Sequence, residues 1–592
     1  MGSESKRVLR GARVRWPAWR LILVFLLVTV VGVAQAADPR DLRQGLPIPD
    51  ESYCDQPYVV VMPSGAWLCA MTTGKGREGQ KGQHVVATVS RDQGRTWSPL
   101  VDVEPASGPE ASWAVPLVTS FGRVYLFYTY NGDDVRELNG KPIRSDTHGW
   151  YAFRYSDDEG RTWSERHRIP MRITAADRNN DWQGQVQMFW GIDKPQVIDG
   201  RACFAFTKLG KFFLERGEGW MFASNNILTE RDVNKLHWEL LPEGEYGVRN
   251  EAYGSVQEEY ILIALGSGDL WMYNRTTRGH IAHSISRDGG QTWSQPTEAT
   301  YTPGGRIIKH PRACTKVWRA TGGRYLLWYH NHGLTSWEGR NPVWVAGGIE
   351  KDGHIHWSQP EILLYDRDTK VRISYPDLIE QNGRYWITET QKTVARVHEI
   401  DPTLLEGMWA QWDNRELTRK GLVYTWDGKA EYARAPRFNK LTELSGFSID
   451  FRVRFDDLSA NQVLLDTREN GKGLAVTTTN KGTVQITFSD GQKQGTWDCD
   501  PDLLQPGREH HITINVDTGP AIIMFVVDGQ LCDGGKARTH GWGRFDPMGD
   551  INASQRMSIA PSLNGKLTML RIYNRCLRTS EAVANYHAER PQ

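Results

Sequence analysis

An eight-residue pattern, S-x-D-x-G-x-T-W, is written three times into this chain, at residues 90–97, 156–163 and 286–293. Its small polar residues and Gly make it a turn, with the Asp placed to accept hydrogen bonds from its own backbone. The closing Trp plugs that turn into the protein beneath. The Asp residues lie 66 and then 130 residues apart, the second step close to twice the first. A further 64 residues on, segment 350–357 keeps only Asp352 and Trp357, and a weaker echo ends at Trp238. A repeat of roughly 55 to 75 residues with about four short strands is one propeller blade, because one small sheet cannot bury both of its faces alone.

The rest of the text agrees with that reading. From about residue 53 to 400, short apolar strands alternate with Gly, Asn and Asp turns, and no long 3.6-residue period intervenes. Trp97, Trp163, Trp238, Trp293 and Trp357 mark five blades, and the strands around 373–389 supply a sixth. The expected fold class is all-β, a six-bladed β-propeller over residues 45–400 followed by a C-terminal β-sandwich. Residues 401–421 are polar and read as a connection. From Leu422 the boxes stop and strands such as 447–455 alternate cleanly, so 422–592 reads as two packed sheets. The last element, near 579–586, reads as a short helix capped by a hydroxyl residue.

At 592 residues the chain exceeds one compact core, and its 71 basic and 70 acidic residues nearly cancel. That balance gives no reason to expect nucleic acid as a partner. Six Lys or Arg residues precede an apolar run at 21–34, and Ala34-Gln-Ala36 then supplies a small-x-small cleavage pattern. Residues 1–36 are therefore expected to be a signal peptide, with an uncleaved anchor as the alternative. The mature chain is then secreted or periplasmic, with no membrane partner. Seven Cys suit a disulfide or two in that compartment, Cys54 with Cys69 and Cys499 with Cys532 being the pairs to test. They have no metal-ligand spacing, so neither a metal nor a cofactor is expected. Most of the 24 Trp read as turn anchors and core rather than sugar platforms.

The boxes, the six blades and several strand motifs together resemble the sialidase (neuraminidase) superfamily over roughly residues 50–400. The ending at 570–586 resembles the last strand and helix of the laminin-G-like, concanavalin-type jelly roll, a module that binds carbohydrate or braces a catalytic neighbour. The first resemblance implies exo-hydrolysis of a glycan carrying an acidic, sialic-acid-like or related sugar. In that family three Arg grip the sugar carboxylate, a Tyr activated by a Glu attacks the anomeric carbon, and an Asp protonates the leaving group. A neutral Tyr avoids the repulsion that a carboxylate nucleophile would meet from the substrate's own carboxylate, and the planar fork of Arg pairs with that carboxylate bidentately.

The resemblance places the base at Glu259, the second Arg at Arg275, the third at Arg340 and the nucleophile at Tyr375. Blade one departs from it. Where the family has Tyr-Arg-Ile-Pro this chain has Tyr53-Cys54-Asp55-Gln56-Pro57, with Asp55 in place of the first Arg. The loop at 73–84, where the acid Asp belongs, has no Asp. Its candidates are Glu78 and His84 as proton donors and Arg77 as a carboxylate ligand, with Asp55 beside the substrate. The segments 110–113 and 190–194 read as loops lining the central pocket. Two other readings stay open: a polysaccharide lyase using Tyr with His310, His330 or His332 on uronic acids, and a non-catalytic carbohydrate-binding propeller.

Overall fold

The structure, a computed structural model, describes residues 37–211, 215–442, 444 and 446–589. The proposed export segment lies outside these residues. Among the described residues no helix is long and apolar enough to cross a membrane.

Six antiparallel sheets of four or five strands succeed one another from Tyr53 to Glu399. Blade 1 holds Tyr53–Val61, Trp67–Gly74, His84–Ser90 and Val101–Asp102. Blade 6 has only three strands of its own, Ser374–Gln381, Arg384–Thr390 and Ala395–Glu399. Its outermost strand is Leu46–Ile48 from the other end of the domain, paired antiparallel so that Leu46 faces Val397. The ring is thus closed by hydrogen bonds between its first and last segments.

Each full box links the third strand of its blade to the fourth. In the first copy Ser90 Oγ accepts Gly94 N–H at 2.8 Å, while the Asp92 carboxylate accepts Thr96 N–H at 2.8 Å and its hydroxyl at 2.6 Å. The second and third copies repeat this within about 0.1 Å. The Thr hydrogen bonds hold Asp92 and Asp288 down at about 2. Gly94 sits at φ +82°, a conformation that the Gly of the pattern supplies without strain. In blade 5 the remnant at Asp352 and Gly353, both at positive φ, has become a tight hairpin turn between the third and fourth strands.

Residues 401–421 contain a helix, Pro402–Trp409, with Asp401 capping its N-terminus and Leu404, Leu405, Met408 and Trp409 packed on the propeller. Beyond it, a sheet built on Gly565–Tyr573, Phe447–Phe455, Glu509–Asp517 and Ile522–Val527 faces a second one running from Tyr432–Arg434 to Gln494–Asp498. Strand Ile522–Val527 is buried on both faces. Ile523, Phe525 and Val527 enter the sandwich core, whereas Ile522, Met524 and Val526 pack with Trp344, Trp357 and Ile362 of blade 5.

Two expectations are corrected. The last helix, Thr579–Ala588, has Arg578 at its N-cap, and its first amides, Thr579 and Ser580, donate to the carboxylate of Glu361 in blade 5 at 3.0 and 2.8 Å. A propeller carboxylate therefore meets the positive end of a sandwich helix. All seven cysteines are free thiols, so neither proposed disulfide is present. For Cys54 and Cys69 the register gives the reason: Cys54 lies opposite Thr73 and Cys69 opposite Val59, several rungs apart on the same pair of strands.

Candidate functional site

Four of the innermost strands carry a β-bulge near their N-terminal end, after Asp55, Ser112, Glu258 and Ser374. In each, the first bulged residue has positive φ: Gln56 at +52°, Trp113 at +61°, Glu259 at +55° and Tyr375 at +47°. A bulge bends the strand and re-aims one side chain. The strain of a non-glycine residue in this region is sustained only where neighbours over-determine it. Here they do: Thr72 and Thr207, each on the second strand of the preceding blade, accept the amides of Trp113 and Glu259 at 2.9 and 3.0 Å.

The bulges of blades 4 and 6 bring Tyr375 and Glu259 together. The phenol donates to Glu259 Oε1 at 2.8 Å, across 116 residues of sequence. Arg275 Nη1 reaches the same oxygen at 2.6 Å, and its Nη2 reaches Glu258 at 2.8 Å. Arg312 donates twice to Glu258, at 3.0 and 2.8 Å. Burial raises Glu259 above the usual carboxylate range against the pull of Arg275. Burial, reinforced by the Glu259 charge, drives the Tyr375 hydroxyl well above its ordinary value. The phenol therefore stays protonated and needs an adjacent base to become a nucleophile.

Arg340 lies next to this pair, buried, donating to Ser374 Oγ at 2.9 Å and to the carbonyls of Trp337 and Arg312 at 3.0 and 3.1 Å. Its partners are all neutral. Among the described residues it forms no ion pair, unlike Arg275 and Arg312.

The blade 1 side is a chain of ion pairs. Asp55, fully buried, accepts from Tyr53 Oη at 3.1 Å and pairs with Lys392. Lys392 stands 4.3 Å from the centroid of the Tyr375 ring and 3.4 Å from Glu78. Arg144 continues the chain, 2.7 Å from Glu78 and 2.5 Å from Asp146. Burial lifts Asp55 to about 6 despite Lys392. Glu78 is also raised by burial, but Lys392 and Arg144 outweigh that and hold it at about 2. Lys392 itself has positive φ, +69°, in a hairpin turn fixed by its amide on Thr390 Oγ1 and by Cys54 N–H on its carbonyl.

Glu259, Arg275, Arg340 and Tyr375 thus share one site, with Asp55 and Glu78 on its opposite rim. Asp55 is sealed beneath Lys392 rather than open to a ligand, because a carboxylate this deeply buried is held by a counter-charge. His84 does not belong to the site. Its ring bonds back to Gly82 O at 3.0 Å and faces Asp102 at the outer edge of blade 1, 3.4 Å away. Arg77 is exposed at the tip of its loop and forms no ion pair among the described residues. Trp113 lies in the strand Ala111–Val118 and Trp190 ends the strand Phe189–Trp190, while 191–194 do form a loop; the two rings meet edge to face at 4.6 Å, and with Tyr375 they belong to one apolar cluster. His310 and His330 are stacked and fully buried behind the site, and burial drives His310 down to about 3.

Sequence reasoning missed Glu258, Arg312, Lys392 and Arg144. The adjacent carboxylates 258 and 259 at the head of an apolar strand were a usable signal for the first. An isolated Lys in a turn is not.

A family model described as the BNR repeat-like domain matches residues 68–387. The chain belongs to that family. In this BNR repeat-like protein a second model, the concanavalin A-like lectin/glucanases superfamily, matches residues 427–583. No curated protein matches the chain. Solved structures similar to this BNR repeat-like chain include Trypanosoma rangeli sialidase in complex with 2,3-difluorosialic acid, at 13% identity over 93% of this chain and 97% of that one, TM-score 0.44. A Hadza microbial sialidase is similar at 17% identity over 60% and 68%, TM-score 0.43. A Dyadobacter fermentans protein of unknown function is similar at 13% over 60% and 98%, TM-score 0.45.

Proposed function

We propose that the protein is a sialidase-like glycoside hydrolase that works outside the cytoplasm and removes an acidic sugar from glycans. The observation that carries this reading is the buried Tyr375–Glu259 hydrogen bond beside Arg340, a buried cation that forms no ion pair among the described residues and feels the Glu259 charge only at longer range. A buried guanidinium with only neutral partners is a seat for an anion, and a carboxylate matches its geometry. Tyr375 Oη attacks the anomeric carbon as Glu259 Oε1 takes the phenol proton, and the bond to the leaving oxygen breaks. The leaving oxygen takes a proton from the Lys392 ammonium, which Asp55 and the ionised Glu78 hold beside Tyr375, and the amine later takes one back from the attacking water. Water then cleaves the tyrosyl–sugar bond and both groups return to their starting states.

With Asp55 where a sialidase has its first Arg, one fewer cation faces the carboxylate, which favours a related acidic sugar over sialic acid itself. The lyase reading has less support: both ring nitrogens of His310 are engaged by backbone groups, Ala313 O and His330 N–H, and the His330 ring is bonded to Pro342 O. The test is to incubate the purified full-length protein with sialosides, uronosides and acidic polysaccharides, following reducing sugar and the ultraviolet absorbance of unsaturated uronates. Release of sugar without new absorbance upholds hydrolysis. A rise in absorbance, or binding without release, overturns it.

A further inference from the structure

The loop that carries Arg340, residues 331–342, is tied to the C-terminal domain at several points. Trp542 Nε1 donates to Asn331 O at 3.2 Å, and Gly333 N–H donates to Thr539 O at 3.0 Å. The His540 ring stacks on His332, with centroids 4.8 Å apart. His332 in turn holds the loop across its neck: Nε2–H donates to Gly339 O at 2.6 Å, and Nδ1 accepts Leu334 N–H at 3.3 Å. Gly339 has φ +75°, and a Cβ there would lie 2.8 Å from the His332 ring, so this approach requires Gly. On the far side of Arg340, Arg544 Nη2 donates to Asn341 O at 2.7 Å and Nη1 to Pro520 O at 3.1 Å.

Arg544 has no carboxylate partner among the described residues, and burial lowers it to about 10. A half-buried cation spent on two carbonyls is costly to maintain, which argues for a task beyond adhesion. The same loop also meets the propeller, through Arg340 on Ser374 and Arg312 O, Arg312 N–H on Ser336 O, Ile373 N–H on Arg340 O, Arg372 over Trp337, and Asn341 on the 366–368 turn, so the sandwich closes the side of the loop that the propeller leaves free.

We infer that the concanavalin-like domain is a positioning element of the site, whose segment 539–544 clamps the Arg340 loop from both sides and sets where the guanidinium stands. Arg544 and His540 are positioning residues, acting through Asn341 and His332 and not on substrate. The inference rests on the reading of Arg340 as the ligand of an acidic group. It assigns this module a mechanical role inside the active site, whether or not it also binds a glycan.

Arg544→Met and His540→Ala in the full-length chain test it, with Arg468→Ala on the exposed far sheet as control. Each of the first two is expected to raise KM for an acidic glycoside about tenfold, with kcat within about twofold, as a displaced binding group does. Arg544→Lys, which keeps the charge and one donor nitrogen of the fork, is expected to recover most of the loss. Hydrogen–deuterium exchange is expected to quicken in peptides covering 331–341 and not in those covering 257–264. Unchanged KM, or kcat and thermal stability falling together with KM constant, would overturn the clamp. If the wild-type protein cleaves no acidic glycoside, the reading of Arg340 has failed. Exchange then decides alone: faster exchange at 331–341 upholds the clamp and unchanged exchange refutes it.

Discussion

The two rims of the site solve the problem of buried charge differently. On the side of blades 4 to 6, Glu259 carries one strong cation and Tyr375, and Arg340 is left electrically open. On the blade 1 side every charge is consumed, from Asp55 through Lys392, Glu78 and Arg144 to Asp146. An open cation binds an anion readily, because nothing has to be displaced. A closed chain of pairs holds protons and geometry instead. On the proposed function, the first rim would serve recognition and attack, and the second would supply the proton and narrow what is recognised.

The largest effect should come from the attacking rim. Tyr375→Phe is expected to lower kcat about a thousandfold or more while leaving the circular dichroism spectrum intact; turnover near wild type would remove Tyr375 from the mechanism. Next, Arg340→Met should raise KM for acidic substrates about 10- to 100-fold, the worth of a charge-assisted contact, and leave neutral glycosides unaffected in a competition assay. On the closed rim the expectation turns from rate to stability. Lys392→Met leaves Asp55 buried without its cation and should cost about 3 kcal/mol in urea unfolding, whereas adding Asp55→Asn should restore part of it. Strict additivity of the two substitutions would mean that they are not a pair.

The smallest effect is a slope. Asp55 is raised from 3.8 to about 6, so the folded state binds its proton more tightly than the unfolded one. Its contribution is present below pH 3.8 and is lost as pH rises through about 6, so it pulls stability down across that window. Glu78, lowered from 4.5 to about 2, acts in the opposite sense below its range and loses its contribution as pH falls. Denaturation midpoints measured from pH 4 to 7 should therefore rise relative to wild type in Asp55→Asn toward the upper end. An identical pH dependence in both proteins would show that Asp55 titrates as it does in the unfolded chain.

The boxes were legible because their turn is made by their own side chains, and three copies set the period from which the other blades could be found. Glu259, Arg275, Arg340 and Tyr375 were legible only through resemblance. The bulges that aim them were not, since Gln56, Trp113, Glu259 and Tyr375 share a backbone conformation and no side-chain chemistry. Lys392 was invisible for another reason: its partners come from residues 55 and 78, more than 300 positions away. The docking of the sandwich did leave a trace. Residues 447–455 alternate polar and apolar, whereas 522–527 are apolar throughout. An uninterrupted run marks a strand with no solvent face, and here the second cover is the propeller.

The closing strand Leu46–Ile48 has a consequence for how the site is assembled. Blade 6, which bears Tyr375, is completed only when Leu46 finds Val397, a contact between opposite ends of the domain. Such long loop closures come late and are paid in chain entropy before they are rewarded. The placement of Tyr375 against Glu259 therefore depends on a seam that the two ends of the propeller must make together.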